Sequence, residues 1–429
     1  MTELRYPNLG ESVYTGTLSN GLKVMVVQKS GFSRKLCYFA TDFGSLHTHF
    51  KLEGKEYTAP AGVAHYLEHK LFDMPGGRDV SAEFAALGAS VNAFTSYDMT
   101  AYHFSCTENF EKCLKLLLSF VSTPYFTEES VEKEQGIIGQ EIAMNDDSPD
   151  TRVFESLMGA MYESHPIRIP ILGTRETIAA ITPTVLETSH RAFYAPGNMV
   201  LCVVGDVDAS QVEAIALEVL GDEKKPVGEK CRPWEESMTV SRREVTHSME
   251  VAMPMFNLAF KCEPIGSGFD SFRREIIGDL ACEALFGESS ELYLKLYEEG
   301  LIDSSFGGGF ESVDGMAMIL CSGDSDDPAA VRDAILAQAE TIAREGIDEI
   351  RLERMKRSAY GRRVRDLDSF SSTCFRLCAY HFGKTDYFRF PEVYSSITTQ
   401  DIRTFIAQVI RPERCSLSVI NPIHQEENQ

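Results

Sequence analysis

The chain has few basic residues and no long apolar run. Its 41 lysines and arginines are outnumbered by 64 aspartates and glutamates, which gives a net charge of −23. This balance argues against nucleic acids and anionic membranes as partners, because both attract positive charge. No apolar run approaches the roughly 20 residues that span a bilayer, and the first seven residues lack a basic-then-apolar signal. We expect a cytoplasmic protein without membrane insertion.

The sequence also lacks a Cys-x-x-Cys pair and a His-Glu-x-x-His motif. Its eleven cysteines are an odd number, and several stand in apolar runs such as Leu201-Cys202-Val203. Cysteine behaves as a small hydrophobic residue in such surroundings. Reduced thiols are therefore expected rather than a disulfide framework, which agrees with a cytoplasmic location.

The most informative motif that is present is His65-Tyr66-Leu67-Glu68-His69. On a helix, residues four apart lie on one face about 6 Å apart, so both imidazoles can give a nitrogen to one zinc ion. Glu68 lies beside that position, in the reverse of the order found in most zinc-protease helices. On spacing alone, a structural helix with a local Glu/His pair is an equally good interpretation.

A third ligand is available in residues 127–145. Thr127 can cap a helix there, and Glu134 and Glu141, seven residues apart, share one helix face. Glu141 stands among apolar neighbours, where an unpaired buried carboxylate would be costly and a metal would remove that cost. An acidic, solvated helix is the alternative. The apolar stripe expected to dock this helix consists of Val131, Ile137, Ile138 and Ile142.

Beyond these two segments, the chain resembles the insulinase/pitrilysin family of inverzincin metallopeptidases over most of its length. The segments that carry the resemblance are collinear and more specific than the pentapeptide alone. They are Leu18-Ser19-Asn20-Gly21-Leu22-Lys23-Val24, Gly62-Val63-Ala64, residues 87–96, His165-Pro166, Ile171-Leu172-Gly173-Thr174, residues 193–199 and residues 203–207.

The resemblance implies a role for each candidate residue. His65, His69 and Glu141 would bind one zinc ion per chain, and Glu68 would act as the general base that activates the attacking water. Glu134 would support catalysis by holding a ligand imidazole through its other N–H. The implied reaction is hydrolysis of peptide bonds in short or unfolded peptides.

Residues 90–105 have the alternating pattern of a two-stranded hairpin. The resemblance makes its first strand a sheet edge on which an extended peptide is laid, with Asn92, Ala93 and Phe94 closest to the scissile bond. The alternative for Phe94 is a place in the core, where an alternating strand commonly puts an aromatic residue.

A chain of 429 residues is too long for one hydrophobic core, and a polar Pro/Gly-containing break lies near residues 221–236. We predict a zinc-binding domain over 1–222, a linker over 223–236 and a metal-free homologous domain over 237–429. Residues 278–286 faintly repeat 64–72 without the histidines. The fold class is α+β, with an antiparallel-rich sheet packed against helices in each domain, as the resemblance to the mitochondrial processing peptidase type implies.

The periodicity of apolar residues predicts strands near 13–28, 35–43, 89–96, 100–106, 198–206, 247–262 and 304–321. Helices are predicted near 59–72, 80–87, 108–121, 127–145, 151–161, 183–193, 209–220, 269–287, 289–299, 328–345, 347–366, 370–381 and 399–409.

One departure from the family pattern concerns the second half. Self-sufficient relatives carry an Arg and a Tyr seven residues apart there, whereas alignment on Gly300-Leu301 puts Leu296 and Asp303 at those positions. We therefore expect the zinc-bearing subunit of a two-subunit peptidase, with a homologous zinc-less subunit that supplies the Arg/Tyr pair, or otherwise a homodimer. A non-catalytic core or assembly subunit and a peptide-binding module of the same fold are the alternatives.

Overall fold

The computed structural model describes residues 1–423, and the chain divides into two compact units. Unit 1 contains Met1–Ile142, Pro170–Pro233 and Val364–Phe388, and unit 2 contains Ala143–Ile169, Trp234–Arg363 and the described residues from Arg389 onward. Each unit therefore includes one segment from the other half of the chain. The change of unit after Pro233 falls inside the predicted linker 223–236. The linear boundaries 1–222 and 237–429 stay predictions, and residues 424–429 lie outside the described part.

Unit 1 is built on a seven-stranded sheet with helices on both faces. Its strands are β1 Thr2–Tyr6, β2 Glu11–Thr17, β3 Lys23–Gln28, β4 Lys35–Thr41, β9 Ser90–Thr95, β10 Thr100–Cys106 and β11 Met199–Gly205. Their order in the sheet is β1-β2-β3-β11-β4-β10-β9, and neighbouring strands are antiparallel except β3 and β11. A smaller three-stranded sheet contains β5 His49–Leu52, β6 Lys55–Thr58 and β12 Glu229–Lys230. A two-stranded sheet contains β7 Asp73–Met74 and β8 Arg78–Asp79.

The main core of unit 1 lies between one sheet face and most of its helices. These are α1 Val63–Lys70, α2 Val80–Ala86, α3 Phe110–Val121, α4 Glu128–Asp146, α6 Arg175–Ala179, α7 Pro183–Phe193 and α8 Ala209–Leu220. The central strand β11 is buried at every position, as expected for a strand covered on both faces. Its other face packs against α13 Phe370–Phe382, where Cys374 and Cys378 are fully buried.

Unit 2 has a five-stranded sheet, which consists of β13 Glu244–Met249, β14 Met255–Cys262, β15 Gly307–Val313, β16 Met316–Asp324 and β17 Cys415–Pro422. Their order is β13-β17-β14-β16-β15, and neighbouring strands are antiparallel except β13 and β17. The helices are α5 Pro149–Met161, α9 Phe269–Phe286, α10 Glu291–Glu298, α11 Pro328–Glu345, α12 Glu349–Asp366, α14 Phe390–Ser396 and α15 Thr399–Val409. The last residues of α12, from Val364, are assigned to unit 1. The α+β class with a largely antiparallel sheet in each unit is confirmed.

Most predicted elements are present, but the strand predictions were too coarse. The predicted strand 247–262 is two strands, β13 and β14, and 304–321 is the hairpin of β15 and β16. The predicted strand 13–28 is likewise the hairpin of β2 and β3. The elements that were not predicted are strands β1, β5, β6, β7, β8, β12 and β17 and helices α6 and α14. Among residues 1–423, no helix is both long and apolar enough to cross a membrane.

Candidate metal centre and peptide edge

Helix α1 places the pentapeptide against the core of unit 1. Val63, Ala64 and Leu67 are buried, and the helix ends with His69 and Lys70 in its last turn, where positive charge suits the helix dipole. The helix begins after Gly62, whose φ of +90° lies in the left-handed region that glycine adopts readily.

The start of α1 is also fixed by close backbone packing. A Cβ atom at Gly62 would overlap the carbonyl oxygen of Leu172, and one at Gly173 would lie 2.5 Å from the carbonyl oxygen of Ala61. The family-like segments around Gly62 and Gly173 therefore meet in space. Together they set the position at which α1, and with it His65, begins.

Helix α4 runs beside α1 and is bonded to it at two points. The Tyr66 hydroxyl donates a hydrogen bond to the Val131 carbonyl, and the buried Lys70 ammonium donates to the Ser130 carbonyl at 3.2 Å. Thr127 caps the helix as predicted, because its hydroxyl oxygen accepts the Ser130 N–H at 3.2 Å. These bonds hold the carboxylates of α4 opposite the imidazoles of α1.

Part of the predicted docking stripe of α4 is wrong. Val131, Ile138 and Ile142 are buried, but Ile137 is 46% exposed. At 100° per residue, positions 131, 138 and 142 share one face, whereas 137 is turned away from it. The argument from buried Glu141 also needs correction, because its side chain remains 38% exposed.

Three of the predicted residues converge on one point. The Nε2 atom of His65 lies 3.7 Å from Oε1 of Glu141, and the Nε2 atom of His69 lies 3.6 Å from Oε2 of the same carboxylate. One ligand atom from each of the three lies within 4.8 Å of the others. A tetrahedral zinc with bonds of about 2.0–2.1 Å separates its ligand atoms by about 3.3 Å, so this donor set fits that metal.

Glu134 contacts the same histidine from the other side. Its Oε1 lies 3.0 Å from Nδ1 of His69, which leaves Nε2 directed at Glu141. A carboxylate on Nδ1 fixes the tautomer and orientation of a metal-binding imidazole. His65 has no equivalent support, since its buried Nδ1 has no hydrogen-bond partner among residues 1–423.

The electrostatics of the two histidines differ. Burial, with a smaller contribution from His69, lowers the pKa of His65 to about 3, so this imidazole is neutral at pH 7 and can offer its lone pair. Burial also acts to lower the pKa of His69, but the nearby carboxylates, Glu134 above all, outweigh it and the pKa is raised. Zinc binding would compete with that proton.

Glu68 is held by a residue that the sequence did not identify as functional. Its Oε2 accepts a hydrogen bond of 2.6 Å from the hydroxyl of Thr95, at the end of β9. Burial raises the pKa of Glu68, and the Thr95 hydrogen bond and His69 oppose this rise. Strand alternation places Thr95 on the same sheet face as Ala93, but that pattern alone does not place it beside Glu68.

Strand β9 lies at the edge of the seven-stranded sheet, as predicted. The N–H of Ala93 donates to the Asn92 side-chain oxygen at 2.9 Å and not to β10, so it points out from the open edge. Ala93 lies on the α1 face with Thr95, whereas Asn92 and Phe94 lie on the α13 face. The three predicted contact residues are thus divided between the two faces.

The second-half positions do not offer hydrogen-bond donors for an oxyanion. Leu296 is 1% exposed in the core of unit 2, and the Asp303 carboxylate accepts the Ser305 N–H at 2.7 Å. In the faint repeat on α9, Asp279 takes the place of His65 and pairs with Arg363 at 3.1 Å. An ion pair therefore lies in unit 2 where the repeat would place the metal.

Two sequence families match the chain. Residues 54–175 match the family described as Insulinase (Peptidase family M16), and residues 180–359 match the Peptidase M16 inactive domain. The chain is 37% identical to the uncharacterized zinc protease YmfH of Bacillus subtilis over 98% of this chain and 99% of that protein. It is also 28% identical to the uncharacterized zinc protease YmxG of the same organism, over 72% of this chain and 76% of that protein.

Solved structures agree with these relatives. An M16-like peptidase from Alicyclobacillus acidocaldarius superposes with a TM-score of 0.93 at 32% identity, over 98% of this chain and 100% of that one. A chain of complex III2 from Candida albicans superposes with a TM-score of 0.74 at 14% identity, over 96% of this chain and 97% of that one. The second likeness concerns the fold alone.

Proposed function

Because this chain belongs to the insulinase family of peptidases, family M16, we propose that it is a zinc-dependent endopeptidase that cuts short or unfolded peptides. The observation that carries the proposal is the convergence of His65, His69 and Glu141 on one point, with Glu68 next to it on α1. Two imidazoles and one carboxylate are the donor set of a catalytic zinc site with an open position, and Glu68 is placed beside them as the general base.

Each residue has a distinct task in this proposal. Zinc, when bound, supplies a Lewis acid that acidifies water and polarises a carbonyl group. Glu68 accepts a proton from the attacking water and later delivers it to the leaving amine. Thr95 holds the Glu68 carboxylate at 2.6 Å so that its other oxygen is available. Glu134 orients His69 through Nδ1.

The open edge of β9 supports a binding mode for the peptide. An extended peptide that pairs with this edge gains main-chain hydrogen bonds without any demand on its sequence. The Asn92 side chain occupies the outward N–H of Ala93 in the free chain, so the peptide must displace it. Placement on β9 also brings the peptide alongside Thr95, which contacts Glu68.

We further propose that full activity needs a homologous zinc-less subunit. The position aligned with the family arginine is the buried Leu296, and the position aligned with the tyrosine is Asp303. Removal of one oxyanion donor typically lowers turnover about 10²–10³-fold, so a chain lacking both would be a poor enzyme alone. A partner with the Arg/Tyr pair would restore them, and a homodimer is the alternative assembly.

A non-catalytic assembly subunit is the second candidate. It is favoured by the likeness to the complex III2 chain, which is a likeness of fold. Against it stands the supported constellation of Glu68, Thr95 and Glu134, which an assembly role does not require.

The test is mass-spectrometric cleavage of a mixed peptide library by the purified, zinc-loaded chain, with zinc measured on the same sample. Glu68→Gln should abolish cleavage and retain zinc. Glu132→Gln, an exposed position on α4, is the matched control and should change neither property.

The outcomes separate the proposals. Chelator-sensitive cleavage by the chain alone would show that no zinc-less partner is needed. Absence of cleavage by a chain that holds one zinc would direct the search to a co-purifying homologue. Cleavage after this chain is mixed with that homologue would support the two-subunit enzyme. Absence of cleavage both by the chain alone and by the mixture would leave the assembly or peptide-binding role.

A further inference from the structure

The sheet face opposite α1 carries a row of aromatic side chains that reaches the edge strand. Residues directly opposite one another on neighbouring strands point to the same face, and the register pairs Asn92 with His103 and His103 with Tyr38. The Tyr38 hydroxyl lies 2.9 Å from the hydroxyl of Ser371 on α13. This face is therefore the one that α13 covers.

Four rings form this aromatic row, which we define as Tyr38, His103, Phe94 and Phe375. Tyr38 and His103 stack with their centroids 4.7 Å apart, and Phe94 lies 6.1 Å from Tyr38 and 5.8 Å from Phe375. The row crosses β4, β10 and β9 and ends on α13. Its outer end is at the open edge where a peptide would pair.

Phe375 differs from its neighbours on α13. The adjacent Cys374 is fully buried, whereas Phe375 leaves 43% of its surface exposed. Burial of exposed apolar surface is favourable, so a side chain placed against this ring would be retained there. The ring contacts Phe94, which is on the edge strand itself.

A peptide that pairs with β9 continues the sheet, so its side chains alternate between the two faces. The peptide residue opposite Phe94 must project onto the α13 face, beside Phe94 and Phe375. Its two chain neighbours must project onto the α1 face, where Thr95 and Glu68 lie. One face is thus available for side-chain recognition and the other for chemistry.

We propose that Phe375, together with Phe94, selects an aromatic side chain at the peptide residue that pairs with Phe94. This inference rests on the proposed peptide edge and names its side-chain preference. Aromatic cross-strand and ring–ring contacts of this kind correspond to about a three- to tenfold preference over alanine.

The test uses binding, so that it does not depend on turnover. Two ten-residue peptides that differ only by Phe or Ala at one central position are titrated into the full-length, zinc-loaded Glu68→Gln chain. Fluorescence anisotropy gives the ratio of their affinities, which should be about three- to tenfold in favour of Phe. Phe375→Ala should reduce the ratio to about one, and Phe375→Leu should keep part of it.

Phe32→Ala is the matched control. Phe32 is 57% exposed, and its ring centroid lies 5.6 Å from that of Phe370, which is on α13 like Phe375. Phe32 is not part of the aromatic row that contains Phe94. It should leave the ratio unchanged. Circular dichroism and thermal unfolding of each variant establish that α13 remains folded.

An unchanged ratio in a folded Phe375→Ala variant would overturn the inference, as would an absence of peptide binding. A Phe preference that Phe375→Ala removes would support the inference, and if the unsubstituted chain with Glu68 cut no peptide either alone or with a homologous subunit, the same result would remove the proposed peptidase function. Cleavage by the parent with no effect of Phe375→Ala on binding would do the reverse.

Discussion

Replacement of Glu134 by alanine should weaken zinc binding without removing a ligand. Glu134 contacts His69 at Nδ1 over 3.0 Å, and its side chain is only 13% exposed, so solvent screens this hydrogen bond little. A hydrogen bond to a charged group contributes about 1.5–3 kcal/mol. At 1.4 kcal/mol per factor of ten, the zinc dissociation constant should rise about ten- to hundredfold, which is the range known for residues that support metal ligands.

The assay is competition for zinc against a chelating dye at pH 7.5, which does not require activity. Glu134→Gln keeps an oxygen that can accept the His69 N–H and should lose less affinity than Glu134→Ala. Glu132→Ala removes an exposed carboxylate from the same helix and controls for the change in net charge. Glu141→Ala removes a proposed ligand and should have the largest effect.

The reasoning would be refuted if Glu134→Ala bound zinc as tightly as the parent chain while Glu141→Ala lost it. It would also fail if Glu132→Ala weakened binding as much as Glu134→Ala. In that case the charge of α4, and not the hydrogen bond to His69, would control affinity.

Three further predictions concern other parts of unit 1. Thr95→Val should lower turnover about ten- to hundredfold at unchanged zinc content, whereas Thr95→Ser should retain most activity; equal losses would contradict a positioning role. Gly62→Ala should lower the free energy of unfolding, measured by urea unfolding, by roughly 3 kcal/mol or more. Gly54→Ala should lower it by about 1 kcal/mol, because Gly54 has a similar φ of +80° but open space around it. Burial lowers the pKa of His190 to about 4, so the neutral side chain contributes fully to stability above pH 6.5 and that contribution is lost as the pH falls. Between pH 7.5 and 5, the free energy of unfolding of the parent chain should fall by about 2 kcal/mol more than that of His190→Gln. Equal falls in the two chains would be contrary evidence.

Local patterns in the sequence were sufficient for much of the candidate site. The spacing of His65 and His69 placed both on one face of α1, and the seven-residue spacing of Glu134 and Glu141 placed both against His69. These relations depend only on the helical period, which a sequence displays directly. The error at Ile137 came from counting apolar residues without measuring their angle around the helix.

Long-range relations were not available from the same patterns. Thr95 meets Glu68 because of how β9 packs on α1, and no local period encodes that contact. Strand β17 pairs with β14 and β13, which are far from it in the chain, and the alternation at residues 415–419 was not used to predict a strand. The sequence identified α13 as a helix but gave no sign that it belongs to unit 1.

The assignment of α13 to unit 1 has a consequence for how the chain is made. The ribosome releases residues 370–382 only after most of unit 2 has been synthesised, so the sheet face with Tyr38 and Cys202 stays uncovered until then. A fragment that stops at Pro233 would contain every proposed zinc ligand and yet leave that face bare. Such a fragment should aggregate or recruit chaperones, and the candidate metal centre should become stable only late in translation.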